Sequence, residues 1–111
     1  MTAHRGKVWL VDFGEPVGRE QAGARPAVVV SADALNRGPA GVLMVVPITS
    51  ARRGLPSHIE IDHGAAGLDQ VGYAGCEDLK SISERRLVHR MGAIDPAAAA
   101  IERVLRYLLD L

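Results

Sequence analysis

The segment Gly18-Arg19-Glu20-Gln21-Ala22-Gly23-Ala24-Arg25-Pro26 leads directly into the apolar run Ala27-Val28-Val29-Val30. The first segment has neither helical nor strand periodicity and contains two glycines, so it is predicted to be a loop. The apolar run is β-branched after its first residue, which is typical of a short strand buried on both faces. Pro26 fixes its own φ and favours an extended conformation at Arg25. A cation is therefore expected where a polar loop joins a rigid strand.

Further strands are predicted on both sides of this run, because short apolar or alternating stretches recur along the chain. The predicted strands are 7–13, 27–31, 42–46, 57–62, 71–79 and 87–94. In the fourth of them Ile59 and Ile61 should point inward and His58 outward. Between the strands, 31–36 is expected to form a short helical turn capped by Ser31 or Asp33, 49–56 a polar turn and 63–67 a loop.

The last segment has the pattern of an amphipathic helix. Asp95 is a good N-cap and Pro96 suits the first helical position. One apolar stripe follows at helical spacing: Ile101, Val104, Leu105, Leu108 and Leu109. Glu102 and Arg106 should pair on the opposite face. Short strands followed by one packed helix predict a mainly β, α+β fold, a small curled antiparallel sheet or barrel with the C-terminal helix on one side.

Composition restricts the classes of protein that fit. A chain of 111 residues is expected to form one domain over 1–111. Its net charge is zero, and its 13 cations include only two lysines. The arginine bias suits phosphate contacts but equally reflects GC-rich coding. One cysteine allows no internal disulfide, and there is neither a signal peptide nor an apolar run of membrane length, so a cytoplasmic protein without a membrane partner is expected.

Four motifs occur in order along the chain: Arg5-Gly6-Lys7-Val8-Trp9, then Gly18 through Ser31, then Asn36, then Val46-Pro47-Ile48-Thr49-Ser50. Their residues and spacing resemble the MazF/PemK (Kid-like) family, the ribonuclease toxins of toxin–antitoxin pairs. The resemblance covers nearly the whole chain. It implies an SH3-like antiparallel barrel with a C-terminal helix, assembled as a two-fold dimer.

The resemblance implies that Glu20, Arg25 and Thr49 are catalytic. A carboxylate can take the proton of a ribose 2′-hydroxyl. A guanidinium can bind phosphate oxygens as charge develops, and a threonine hydroxyl can hold one of them. The family products are a 2′,3′-cyclic phosphate and a 5′-hydroxyl. No metal or cofactor is expected, since the histidines and the cysteine show no tight metal-ligand spacing.

Six further residues are expected to contact RNA, and several have simpler interpretations. The six are Arg19, Gln21, Ser50, Arg52, Arg53 and Glu77. Arg52 and Arg53 equally fit solvated turn charges, and for Glu77 a structural position beside the core is favoured over reading a base edge. Thr49 also suits a strand-end hydroxyl that bonds its own backbone. Trp9 and Phe13 have the ring faces needed to stack on bases, but a core position is favoured for both.

Two positions depart from the family pattern. Some Kid-like members carry an Arg before a Cys-Asp pair, where it assists catalysis, whereas this chain has Gly75 before Cys76-Glu77. Members often have Asp-Pro-Thr after the first strand, whereas this chain has Gly14-Glu15-Pro16. The second change falls in a loop that touches substrate in the family, so a different sequence preference is expected.

The resemblance implies a sequence-selective, metal-independent endoribonuclease toxin (mRNA interferase) that cuts single-stranded mRNA as a homodimer and is neutralised by a cognate antitoxin. A CcdB-like gyrase poison, which cuts nothing, shares this fold. Such chains end in Trp-Gly-Ile, whereas this one ends Tyr107-Leu108-Leu109-Asp110-Leu111. A third option is an inactive family member that is retained as a binding domain.

Overall fold

The computed structural model describes residues 3–14 and 23–111. The strands in this part of the chain are β1 (Lys7–Asp12), β2 (Ala24–Val29), β3 (Val42–Thr49), β4 (His58–Ile61), β5 (Gly72–Gly75), β6 (Lys80–Ser83) and β7 (Leu87–Ala93). The α-helices are α1 (Asp33–Asn36), α2 (His63–Ala66) and α3 (Ala98–Leu109), with 3₁₀ turns at Cys76–Asp78, Glu84–Arg86 and Asp95–Ala97. The mainly β composition with a C-terminal helix is confirmed.

The strands form one antiparallel sheet in the order β4-β5-β3-β2-β1-β7, and β6 pairs with β3 beside this path. The two ends of the path, β4 and β7, do not pair with each other among the described residues. The sheet is therefore curled but not closed, and the predicted barrel is correct only in this loose sense. Helix α2 packs against β7 instead.

Strand β3 is the longest strand and exchanges partners along one edge. Its residues Val42–Val45 pair with β6, while Ile48 and Thr49 pair with β5. Pro47 lies between these two sets of pairs and faces Ala27 of β2. A proline cannot donate a ladder hydrogen bond, so it is tolerated where the pairing is irregular.

Strands β2 and β3 are buried on both faces, as their apolar runs predicted. Val28, Val46 and Ile48 belong to one core, which also receives Ile101 of α3. Ala27, Val29 and Val45 belong to a second core on the opposite face. The buried part of β2 begins at Ala27 and that of β3 ends at Ile48; beyond them Arg25 is exposed and Thr49 is half-buried.

Several predicted boundaries were wrong. β2 begins at Ala24, so Arg25 lies inside a strand rather than at a loop–strand junction. β3 extends to Thr49, which was assigned to the polar turn. The loop predicted at 63–67 contains α2, and the strand predicted over 71–79 is limited to Gly72–Gly75 before a 3₁₀ turn.

The helical turn at α1 was predicted with the wrong cap. Its N-cap is Ala32, with no side-chain capping bond. Ser31 instead donates its hydroxyl to the Asn36 side chain and accepts the Met44 backbone N–H at 2.9 Å. This buried polar pair ties α1 to the end of β2 and to β3.

The C-terminal helix was predicted correctly, but its start was not: α3 begins at Ala98 with Ala97 as its N-cap, and Asp95 makes no capping bond in the described part of the chain. A 3₁₀ turn at Asp95–Ala97 precedes α3, and the Arg106 Nε lies 3.4 Å from the Glu102 carboxylate, which confirms that pair. Ile101 is buried, but Leu108 and Leu109 at the helix end remain 42% and 53% exposed. The apolar stripe is therefore longer than the surface that covers it in this chain.

Helix α2 approaches β7 so closely that two glycines are required at the contact. Gly67 ends α2 in the left-handed region at φ 73°, and a β-carbon there would lie 2.1 Å from the Met91 carbonyl oxygen. A β-carbon on Gly92 would lie 2.1 Å from the Ala65 carbonyl oxygen. In both cases the added β-carbon would clash with a backbone oxygen, which cannot move aside unless α2 or β7 shifts.

This contact predicts that Gly92→Ala is destabilising. The methyl group would force α2 away from β7, and overpacking of this kind lowers the free energy of unfolding by about 1–3 kcal/mol. Gly64→Ala is the matched control, because a β-carbon there meets nothing within 4 Å. Urea unfolding should show a loss for Gly92→Ala and no loss for Gly64→Ala. Equal stability of the two variants would contradict this account of the contact.

Candidate functional site at the ends of β2 and β3

The register between β2 and β3 brings Arg25 and Thr49 together. Ala27 faces Pro47 and Val28 faces Val46 in this antiparallel pair. Continuing the same register by two residues places Arg25 opposite Thr49. Directly opposed residues in an antiparallel pair point to the same face of the sheet. The two side chains therefore leave the sheet side by side, just beyond the second core.

The same face continues across β5 and β4. Thr49 pairs with Tyr73, and Tyr73 pairs with Glu60. Neighbouring strands lie about 4.8 Å apart, so Arg25, Thr49, Tyr73 and Glu60 form a row roughly 14 Å long across four strands. We call these four residues the cross-strand row. It places a cation, a hydroxyl, an aromatic ring and a carboxylate on one side of the sheet.

An open cavity of about 520 Å³ lies at one end of this row. Arg25, Thr49 and Ser50 line it, together with residues 68–72 of the segment that enters β5. Arg25 is exposed and Thr49 is half-buried. The cavity can admit a phosphate group between a guanidinium and two hydroxyls.

The Thr49 hydroxyl has a defined orientation. Its Oγ1 accepts the Ala51 backbone N–H at 3.1 Å, as the strand-end interpretation of this residue predicted. A hydroxyl also has one proton to donate. The backbone contact therefore leaves that proton available for an oxygen atom in the cavity.

The segment that carries Glu20 is held at both ends. Phe13 and Gly23 are joined by a backbone hydrogen bond of 2.9 Å, and Gly23 donates to Gly14 at 2.9 Å. Arg86, which follows β6, donates to the Asp12 carbonyl at 3.1 Å. Arg19, Glu20 and Gln21 themselves lie outside the described residues.

The segment after β3 carries the predicted arginines. Arg52 lines a second cavity of about 330 Å³ next to Tyr73 and His58. Arg53 is exposed, and it is close enough to Asp78 for its charge to act on that carboxylate. Arg52 therefore lies beside the cross-strand row, next to Tyr73 and Glu60.

Glu77 is held by two donors that sequence reasoning did not connect with it. Ser57 donates to Oε1 at 2.7 Å, and His58 Nε2 lies 2.8 Å from Oε2. Burial acts to raise the pKa of Glu77, but hydrogen bonds from Ser57, the backbone and His58 hold that pKa below its ordinary value. His58 was predicted to point outward, yet its side chain is only 6% exposed. His58 is paired with Gly75, and a β-carbon there would be in ordinary van der Waals contact with His58 Nε2 at 3.4 Å.

Other candidates are structural. Trp9 and Phe13 are 5% and 7% exposed and belong to the second core, so they are not stacking platforms. Cys76 is buried at the end of β5, and burial together with the Glu77 charge raises the pKa of its thiol to about 11.

The described part of the chain contains neither a cluster of metal ligands nor a membrane-spanning helix. In residues 3–14 and 23–111, no three His, Cys, Asp or Glu side chains are grouped in a way that would hold a metal ion. Among the helices of this described part, none has the length and apolarity to cross a membrane.

Comparisons with known proteins find one matching family, related sequences and similar structures. The family model described as "PemK-like, MazF-like toxin of type II toxin-antitoxin system" matches residues 4–109. The Mycobacterium tuberculosis protein named endoribonuclease MazF9 is 35% identical over 113 residues, which cover 96% of this chain and 96% of that protein. The crystal structure of MazF from Deinococcus radiodurans superposes with a TM-score of 0.85 at 26% identity, covering 100% of this chain and 99% of that one. A mycobacterial endoribonuclease, solved in complex with its cognate antitoxin, superposes with a TM-score of 0.79 at 25% identity, covering 98% and 96%.

The lowered pKa of Glu77 predicts a pH-dependent contribution to stability. A carboxylate whose pKa is lower in the folded state stabilises the fold above its ordinary pKa of 4.5, and this stabilisation is lost as the pH falls. The stability difference between the wild type and Glu77→Gln should therefore shrink from about pH 7 to about pH 3. Glu60→Gln serves as the control, because the Glu60 carboxylate is exposed and makes no hydrogen bond with the described residues. The prediction would be contradicted if urea unfolding gave the same stability difference between the wild type and Glu77→Gln at pH 7 and at pH 3.

Proposed function

This chain belongs to the PemK-like, MazF-like toxins of type II toxin–antitoxin systems, and from that premise we propose that it is a sequence-selective endoribonuclease toxin. The observation that carries the proposal is the convergence of Arg25 and Thr49 on the open cavity. The name of its 35% identical relative, an endoribonuclease, supports the same activity.

The reaction is a transfer within the RNA itself. Glu20 takes the proton of the ribose 2′-hydroxyl next to the scissile phosphate, and the freed oxygen attacks the phosphorus atom. The bond from phosphorus to the 5′-oxygen breaks as the new one forms. The products are a 2′,3′-cyclic phosphate and a 5′-hydroxyl, which takes up one proton.

Arg25 and Thr49 stabilise this transition state from fixed positions. The guanidinium donates to two phosphate oxygens while negative charge builds up on them. The Thr49 hydroxyl, oriented by the Ala51 N–H, donates to one of those oxygens. Because Arg25 provides the positive charge that the phosphate needs, no metal ion takes part in the step.

The substrate is single-stranded RNA. The cross-strand row lies on an open face of the sheet, where separated nucleotides can lie flat and expose their base edges. Ser50, Arg52 and Arg53 contact the strand on one side of the cavity, and Arg19 and Gln21 contact it from the segment that carries Glu20. These contacts give the enzyme its preference among RNA sequences.

A cognate antitoxin neutralises the toxin in the cytoplasm. A related mycobacterial endoribonuclease was crystallised with its antitoxin, which supports such a partner here. An extended acidic segment of the antitoxin would occupy the arginine-lined cavity and exclude RNA. The active species is a two-fold homodimer with the same surface of each copy at the interface.

The gyrase-binding alternative receives no support from the relatives. The matching family, the related enzyme and the superposed structures are all MazF-like toxins or endoribonucleases.

Removal of the Arg25 charge should impair catalysis far more than stability. Loss of a preorganised group that stabilises transition-state charge costs about 3 kcal/mol, or roughly a hundredfold in rate. Arg25→Ala and Glu20→Gln should therefore cut a defined oligoribonucleotide at least about a hundredfold more slowly. Arg103→Ala, which removes an exposed charge from α3, is the control and should cut normally.

Circular dichroism melting would be measured on the same preparations. Surface substitutions usually change stability by less than about 0.5 kcal/mol, so all three variants should melt close to the wild type. Wild-type cleavage rates for Arg25→Ala would overturn its catalytic role.

The chemistry predicts a second outcome that depends on the sugar and not on a metal. In excess EDTA, the wild type should cut an all-ribose substrate at its normal rate, because Arg25 provides the cation. The same oligonucleotide with 2′-deoxyribose just 5′ of the scissile phosphate should bind but remain intact, because its nucleophile is gone. Cleavage of the deoxy substrate would mean that water attacks, and loss of activity in EDTA that Mg²⁺ restores would mean that a metal takes part.

A further inference from the structure

Glu77 contacts a buried histidine that is only partly hydrogen-bonded among the described residues. Nε2 of His58 lies 2.8 Å from Oε2 of Glu77, and the His58 side chain is only 6% exposed. Its other nitrogen, Nδ1, is buried and has no hydrogen-bond partner among the described residues. A buried polar atom without a partner costs free energy, so such an atom in a native protein calls for an explanation.

The arrangement makes sense if the orientation of Glu77 is what matters. Ser57 holds one carboxylate oxygen and His58 holds the other, so the carboxylate cannot rotate freely. Each oxygen still has a lone pair, and the Glu77 side chain is 37% exposed. A carboxylate fixed in this way presents acceptors, and no donors, to a molecule that approaches from solvent.

Glu77 lies within reach of the same RNA strand as the proposed catalytic residues. Gly75 pairs with His58 and lies two residues beyond Tyr73, so it shares a face of β5 with the cross-strand row. Two strand residues span about 7 Å, close to the distance between neighbouring nucleotides in an extended strand. A β-carbon built on Gly75 would lie 3.8 Å from Oε1 of Glu77, so the carboxylate lies on the side of β5 to which the side chain of residue 75 would point.

We propose that the Ser57–His58–Glu77 cluster is a specificity site that selects a nucleobase carrying an exocyclic amino group one or two nucleotides from the scissile phosphate. This inference rests on the proposed endoribonuclease function. The amino groups of adenine, cytosine and guanine donate to a fixed carboxylate, as Glu and Asp do when they accept from cytosine N4 in nucleic-acid recognition. Uracil has no amino group, and its one Watson–Crick donor, N3–H, lies between two carbonyl oxygens that Glu77 repels.

The test replaces amino groups one at a time in an oligoribonucleotide whose cleavage site has been mapped. Each purine near the site is replaced by inosine, and each cytosine by uracil. At one position the change should lower kcat/KM of the wild type by about ten- to a hundredfold, since a good base contact is worth about 1–3 kcal/mol. Glu77→Gln should reduce that penalty to less than about threefold and leave the penalties at other positions unchanged, because an amide can also donate to a carbonyl.

Glu102→Gln is the matched control, because Glu102 is also an exposed carboxylate with a cationic neighbour but lies on α3. It should keep the wild-type penalty. If Glu77→Gln penalties equal those of the wild type at every position, or if the wild type shows no amino-group penalty, the specificity site is overturned. Ser57→Ala, which removes one donor, should give an intermediate penalty.

Binding separates this inference from the proposed function. The same base replacements are made in an uncleavable oligonucleotide with 2′-deoxyribose at the scissile position, and its affinity is measured by fluorescence anisotropy. If the wild type cuts only with added Mg²⁺ but its affinity still falls when the amino group is replaced, the metal-independent nuclease proposal fails and the specificity site stands. If Glu77→Gln is inactive, the affinities provide the test. A loss of affinity on base replacement that equals the loss seen with the wild type would overturn the specificity site.

Discussion

The antiparallel register that joins β2 to β3, and β3 to β5, determines which polar side chains meet in this protein. It is fixed by buried apolar residues: Val28 and Val46 face one core, and Val29 and Val45 face the other. A slip of one residue would exchange the two faces along the whole strand, so the packing of both cores specifies one register strongly. Arg25 and Thr49 lie near the ends of the same two strands, so the packing that fixes the register also fixes their positions. The candidate catalytic geometry thus follows from interior contacts several residues away.

Local sequence predicted the parts of the fold that depend on local physics. The β-branched run at 27–30, the alternation in β1 and the apolar stripe of α3 indicate strands and a helix without knowledge of the partners. The motif containing Glu20 and Arg25 stood out only through its resemblance to the MazF/PemK family, because most loop charges are solvated surface. That Arg25 stands opposite Thr49 could not be read from either segment alone, since the pairing of two strands depends on both.

Long-range contacts explain what sequence analysis missed. The helix α2 looked like a loop because its four residues are too few for a periodic pattern, and its position depends on contacts of Gly67 and Gly92 with distant backbone. The partner exchange along β3 leaves the sheet unclosed, a property of strand order that no single strand encodes. His58 was placed outward by simple alternation, yet its side chain is buried and contacts Glu77, which lies beyond the end of β5. In each case a residue distant in sequence determines the outcome.

The buried thiol at the end of β5 gives this chain an internal reporter. Cys76 is its one cysteine, and in the folded state its sulfur is both covered and protonated, whereas the reactive form is an exposed thiolate. A thiol reagent can therefore modify the protein only while the end of β5 is transiently open. The modification rate in native conditions measures how often this edge of the sheet opens, and bound RNA or antitoxin would slow it. Occupancy of the surface can be followed in this way without attaching a dye or introducing a new residue.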